Sequence, residues 1–219
     1  ALFKILEGGL KFGKPREDWD DLNDFFTLNE YRKHKNTNNI YVVCFCEGLG
    51  QVHHWFYYGH SNSHIAFEDC YKDIKCNIKL NKTKFEKMLS NHDLKLKKVE
   101  YLISNYEASK NKDTQTQTVE QYLDDWEKLP LIKRKEYEIE KEYRIVKAVN
   151  TEPEPLDIMD CIEGIAILID EDSPIYCLIK NQLSYKYPQL RNKIDNNGAH
   201  KSKKWEKEVT KVINDRLKK

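Results

Sequence analysis

The ten residues from Tyr137 to Val146, YEIEKEYRIV, constrain this chain more than any other stretch. Strand alternation would set Glu138, Glu140, Glu142 and Arg144 on one face and Ile139, Lys141, Tyr143 and Ile145 on the other. Three carboxylates two residues apart repel one another. Such a row persists either because water screens it on a solvated sheet face or because a cationic ligand or reaction centre belongs beside it. Both readings stand on the pattern alone.

Composition narrows the setting. With 219 residues and 39% hydrophobic content the chain can bury a core, and we expect one domain over residues 1–219, with a core over 1–190. Lys plus Arg number 37 and Asp plus Glu 36, so the net charge of +1 gives no global attraction to nucleic acid. The basic stretch over residues 199–219 is the local exception. There Trp205, Val209, Val212, Ile213 and Leu217 form one side of an amphipathic helix and Lys201, Lys203, Lys204, Lys207 and Lys211 fall elsewhere. We expect the apolar stripe to pack on the domain. No apolar run approaches the roughly 18 residues of a membrane span, and no secretion-signal pattern is visible, so the expectation is a cytoplasmic protein without a membrane partner.

The remaining elements read in order. Leu2, Ile5, Leu6 and Leu10 have helical spacing and Gly8-Gly9 supply a stop. EDWDDLND reads as a loop with Asx turns in which Asn23 and Asp24 shape the chain. NIYVVCFC, residues 39–46, is a β-branched and aromatic strand expected at the centre of a sheet. Thr83 and Glu86 have capping-box spacing for a helix through Leu89, and Leu94 to Ile103 alternates as a strand. Val119, Tyr122, Leu123 and Trp126 mark an amphipathic helix stopping at Pro130. TEPEPLD is extended, IEGIAILID is a buried strand, and Ser173-Pro174 starts a helix running through Leu183. The fold class is α+β, a split, mostly antiparallel sheet flanked by helices.

Six cysteines show no CxxC pair. Cys44 and Cys46, with His53, His54, His60 and His64 following, fit no common zinc spacing, so no metal is expected.

Four segments in this order resemble a bacterial family of uncharacterised proteins linked to phage defence by abortive infection. They are Asn23-Asp24-Phe25 for an N-D-P-F loop, Cys44-Phe45-Cys46 for a C-F-S strand, and Trp55 with Tyr58 for W-x-x-Y. The last is Lys135, Tyr137, Glu140, Glu142 and Arg144 for a lysine, an aromatic and E-x-E-x-R. That family is in turn similar to the ADP-ribosyltransferase superfamily, and KILEGGL matches its opening helix. The strand ahead of that helix would lie before Ala1.

The resemblance implies an ADP-ribosyltransferase-like fold acting on NAD as substrate, as a mono-ADP-ribosyltransferase or NAD glycohydrolase in a toxin or antiviral-defence setting. It implies catalytic roles for Glu142 at the ribose hydroxyls and for Glu140 toward an acceptor. It also implies cofactor contacts from Trp55, Tyr58, Arg144, Asn23 and Asp24. Cleaving the bond from nicotinamide to ribose builds positive charge at the anomeric carbon, which a nearby carboxylate stabilises. Partners would be NAD, an acceptor that is protein or nucleic acid, and an antitoxin or defence-system component. Two other classes stay open: a non-enzymatic sensor or binding module, and a metal-dependent nuclease using Asp20, Asp21, Asp24 and the glutamate row.

Overall fold

The computed structural model of the chain describes residues 2–15, 22–48, 76–104, 118–167, 169, 172–196, 209–211 and 213–214. Trp55, Tyr58, the four histidines at 53, 54, 60 and 64, Asp20, Asp21, and Trp205 with the lysines beside it lie outside those residues. The chain divides into two compact units, each assembled from separate stretches of sequence. One comprises residues 3–48 and 82–160, the other residues 1–2, 49–81 and 161–219. Helices and mostly antiparallel strands are mixed in both, an α+β arrangement.

The first unit opens with helix α1, Leu2–Gly8, which ends at Gly9 in a left-handed conformation with φ of 78°. A side chain there would meet the Leu156 carbonyl at 2.9 Å, because Leu10 and Leu156 exchange backbone hydrogen bonds immediately beyond. Only glycine accommodates both the φ and the approach. Helix α2 covers Leu22–His34 and strand β1 covers Asn39–Cys46. After them come helix α3 (Lys82–Asn91), strands β3 (Lys97–Lys98) and β4 (Glu100–Leu102), and the single helical turn α4 (Val119–Tyr122). A 3₁₀ segment at Trp126–Leu131, strand β5 (Ile132–Arg134), a second 3₁₀ segment at Lys135–Glu140 and strand β6 (Glu142–Val149) complete it. Strand order is β1-β6-β3, with a parallel β4-β5 pair beside it.

β1 and β6 pair antiparallel without a slip from Asn39 opposite Val149 to Cys46 opposite Glu142. Residues directly opposite share a face, so one face carries Ile40, Val42, Cys44 and Cys46 against Ala148, Val146, Arg144 and Glu142. The apolar part of that face packs with Leu28 and Tyr31 of α2 and with Leu102, Leu129 and Ile132. The opposite face receives α3: the Phe45 and Phe85 rings lie 5.1 Å apart, and the Lys82 ammonium sits 5.0 Å from the Tyr143 ring.

The second unit has a sheet of β2 (Cys76–Leu80), β7 (Ile162–Ile167) and β8 (Ile194–Asn196), with β7 in the middle. Helix α5, Pro174–Lys186, starts as its sequence requires, with the Ser173 hydroxyl accepting from the Ile175 N–H and Pro174 in the first turn. Tyr176, Ile179 and Leu183 form its buried stripe.

Several expectations need correction. β1 is not central: β6 lies between β1 and β3, and beyond β1 there is a bridge from Val42 to Gly13. The strand over 94–103 is broken into β3 and β4, which pair with different partners, β6 and β5. The amphipathic helix before Pro130 is one turn followed by the 3₁₀ segment, since Asp125 caps a new start by accepting from the Glu127 N–H. Of the basic C-terminal stripe, the described Val209 and Ile213 are exposed rather than packed.

Candidate functional site

The charged cluster sits where the β1-β6 face changes from apolar to polar. Helix α2 spans the change with one stripe: Asp24, Leu28 and Tyr31, at spacings of four and three, are all buried. Leu28 and Tyr31 lie over the apolar end and Asp24 over the charged end. The EDWDDLND stretch is thus helical from Leu22, with Asp24 in the first turn, where its negative charge suits the helix dipole. Arg32, Lys33 and His34 suit the opposite terminus. Asn23, its neighbour, is exposed.

Arg144 is the centre. It is 0% exposed, and its guanidinium makes five contacts for its five N–H groups. Nε and Nη2 donate to Glu142 at 2.6 and 3.1 Å, Nη1 and Nη2 donate to Asp24 at 2.6 and 2.8 Å, and Nη1 donates to the Pro130 carbonyl at 3.0 Å. Residues 120 positions apart are thereby joined through a two-point carboxylate grip. All five of its N–H groups are thus met by protein acceptors.

Lys133 is the second cation. Its ammonium lies 2.7 Å from Glu140 and 3.1 Å from Glu142, with the Tyr137 ring centroid 5.1 Å away. Asp24, Glu140 and Glu142 are 5%, 7% and 3% exposed, so all three carboxylates are inside the fold. The Glu142 N–H donates to the Tyr101 hydroxyl at 2.8 Å.

The carboxylate row is therefore not a strand ladder. Lys141 is left-handed, with φ of 46°, and separates the 3₁₀ segment from β6. Glu138 turns outward to Lys135 at 2.7 Å, while Glu140 and Glu142 converge on Lys133 from either side of that kink. The kink removes one carboxylate from the row and supplies a cation to the other two, which relieves the repulsion alternation would impose. Lys135, the lysine of the motif, is partly exposed and pairs with Glu138 instead. Lys133 is the one that matters, and its cue in the sequence was slight: a lone lysine in the β5 run Ile132-Lys133-Arg134.

Burial pushes the Glu142 carboxyl up, but Arg144, Lys133 and the Cys44 thiol that donates to it bring it down to about 2. Burial raises Asp24 above the usual range, and here the Arg144 attraction does not overcome it, with Glu142 adding repulsion. Burial alone would depress Lys133 and Arg144, yet the surrounding carboxylates hold both above their ordinary values. The thiols of Cys44 and Cys46 are raised by burial and then by Glu142, Cys46 to about 11. Cys44 is exposed to solvent. Cys44 and Cys46 lie opposite Arg144 and Glu142 and are the solvent-accessible members of this face.

The cluster thus brings together Asp24, Glu140, Glu142 and Arg144 and adds Lys133. Asn23 is exposed, and Trp55 and Tyr58 are outside the described residues. The Asp24 and Glu142 oxygens already accept from Arg144. No group of three or more His, Cys, Asp or Glu among the described residues is placed to hold a metal ion. No family model, no curated protein and no solved structure matches the chain.

Proposed function

We propose that the chain acts on NAD as a mono-ADP-ribosyltransferase or NAD glycohydrolase, in a bacterial toxin or defence setting, with Glu142 as the carboxylate that faces the ribose. What supports this reading is one observation: the distant motif residues Asp24, Glu140, Glu142 and Arg144 meet in a single cluster. Lys133 and Arg144 keep Glu142 ionised, and an ionised, fixed carboxylate is what a developing oxocarbenium requires. Arg144 and Lys133 are then positioning residues. Substrate would arrive from the Cys44 and Cys46 side, the side open to solvent.

Nicotinamide release from NAD by the purified protein tests the proposal. We expect Glu142→Gln to lower it by roughly a hundredfold or more, and Glu140→Gln to reduce transfer to an acceptor while hydrolysis remains. A wild-type protein that neither binds nor consumes NAD, or an unimpaired Glu142→Gln variant, refutes it.

A second reading is favoured by the burial of the whole cluster. In a non-enzymatic binding module the same five residues fasten α2 to β6 and do nothing else, in keeping with the complete use of Arg144's donors. NAD would then leave the melting temperature unchanged, whereas a ligand that binds only the folded state raises it.

A further inference from the structure

Beside the basic stretch over residues 199–219, the chain concentrates positive charge in one piece of its first unit. Residues 82–98, α3 with its turn into β3, carry six lysines, Lys82, Lys84, Lys87, Lys95, Lys97 and Lys98, against only Glu86 and Asp93. Since all 219 residues together come to +1, the rest of the chain is net acidic. The six lysines are all exposed, and the segment is fastened without them. Phe85, Leu89 and Leu94 are buried, the Leu94 N–H donates to the Leu89 carbonyl at 2.9 Å past a left-handed Asp93, and the Val99 N–H donates to the Glu142 carbonyl at 3.0 Å. Lys84 has an interaction of its own, but Lys82, Lys87, Lys95, Lys97 and Lys98 form no ion pair with a carboxylate among the described residues. Lys82 lies over the Tyr143 ring, and Lys97 acts at longer range on Glu127, which Lys35 and Tyr31 already hold.

We infer that this segment is a binding surface for the sugar–phosphate backbone of single-stranded nucleic acid. The chemistry of the patch selects the partner. None of the exposed large apolar side chains lies in residues 82–98, so the patch lacks the apolar or aromatic centre on which a protein interface is built. Thr83 and Asn91, exposed on α3, are of the kinds that bond phosphate and sugar oxygens. Every cation in it is a lysine, a compact charge on a flexible stem that meets a phosphate without a fixed geometry. The register then selects the shape. Lys97 stands opposite Arg144 and Lys98 opposite Tyr143, so the two point to opposite faces of the sheet at its outer strand, β3. Lys98 shares its face with the Tyr143 ring that Lys82 covers. A flat anionic bilayer meets one face of such an edge; a flexible single strand bends round it and meets both.

The inference is independent of any activity on NAD. Fluorescence anisotropy of a labelled oligothymidylate titrated with the full chain tests it. With about four phosphates neutralised at a slope of about −0.7 per contact, affinity should fall roughly fiftyfold between about 50 and 200 mM salt. Two paired variants, Lys97→Gln with Lys98→Gln and Lys82→Gln with Lys87→Gln, should each weaken binding and make that slope shallower by about 1.4. Both pairs should melt close to the wild type, because the side chains they change are exposed. Lys97→Arg with Lys98→Arg keeps the charge and should keep both the affinity and the slope. Several results would each overturn the assignment: no binding at about 50 mM salt, glutamine pairs that bind like the wild type, or an arginine pair that fails to bind. So would tighter binding to a duplex of the same length, loss only on replacing Lys201, Lys203 and Lys204 of the C-terminal stretch, or binding to phosphatidylserine vesicles in place of the oligonucleotide.

Discussion

The two ends of α2 rest on the same face of the same pair of strands and are held there by different physics. At one end Leu28 and Tyr31 meet Ile40, Val42, Val146 and Ala148, contacts that gain from removing apolar area from water and depend little on orientation. At the other end, four residues back along the helix, Asp24 meets Arg144, two residues from Val146 along β6, and Arg144 in turn holds Glu142. There nothing is gained unless every donor finds its acceptor. An apolar end tolerates replacement by anything of similar volume; an ionic end tolerates replacement only where the charge count still closes.

The sharpest way to break the comparison is to remove a cation. Arg144→Met leaves three buried carboxylates facing one ammonium, and the expected loss is about 3–5 kcal/mol in urea unfolding. Arg144→Lys should recover little of it, because an ammonium cannot grip Asp24 and Glu142 at once and still reach the Pro130 carbonyl. Lys133→Met belongs to the same class, leaving Glu140 and Glu142 without their shared ammonium. The double replacement should cost less than the sum of the singles, since both act on one network. If either single variant melts like the wild type, the ionic end contributes nothing to the fold.

The apolar end makes the next largest prediction. Leu28 is fully buried, so Leu28→Ala should cost about 2–5 kcal/mol, and Leu28→Met less than about 1.5 kcal/mol. Conservative exchange is thus mild at Leu28 and severe at Arg144. Equal penalties for Leu28→Met and Arg144→Lys would erase the distinction between the two ends.

What could be read from the chain before folding follows the same divide. β1 was legible residue for residue, because the seven β-branched, aromatic and cysteine positions after Asn39 leave little choice. Ser173-Pro174 announced α5, and Gly8-Gly9 the end of α1, through local rules of caps and left-handed residues. α2 was not legible. Leu22 and Phe26 lie on its exposed side and blur the apolar period, and its decisive buried residue, Asp24, is one that a pattern search assigns to a turn. Among the site residues, Glu140, Glu142, Arg144 and Asp24 stood out by motif. Lys133 did not, since its importance arises from the left-handed Lys141, which folds Glu140 back toward β5, and no periodicity foretells a kink of one residue.

Acid sharpens the comparison without any mutation. Glu142 is held at about 2 against an ordinary 4.5, so folding favours its ionised form. Its contribution is complete above about pH 4.5 and is lost as pH falls toward 2. Asp24 runs the other way, gaining between its folded value and 3.8. The wild type should therefore hold or gain stability on the way down to about pH 4 relative to Asp24→Asn, then lose it steeply. Glu142→Gln should lack the steep acid limb. If that limb persists in Glu142→Gln, other carboxylates carry the acid lability.

The smallest expected effect separates two lysines two residues apart. Lys135 meets Glu138 at 2.7 Å, but both side chains are open to solvent, and a surface pair at a spacing of three is worth about 0.5 kcal/mol or less. Lys135→Met should thus shift the unfolding midpoint barely at all, and salt should remove even that. The contrast with Lys133→Met tests more than stability, because the motif places its lysine at Lys135 and the geometry gives the work to Lys133. Should Lys135→Met prove the more damaging, Glu138 would have to belong with Glu140 and Glu142 in one row after all, and the kink at Lys141 would not be what divides the surface carboxylate from the buried pair. A negligible Lys135→Met beside a costly Lys133→Met ties the cluster to β5 and the kink, the elements through which Glu140 and Glu142 come to share one ammonium.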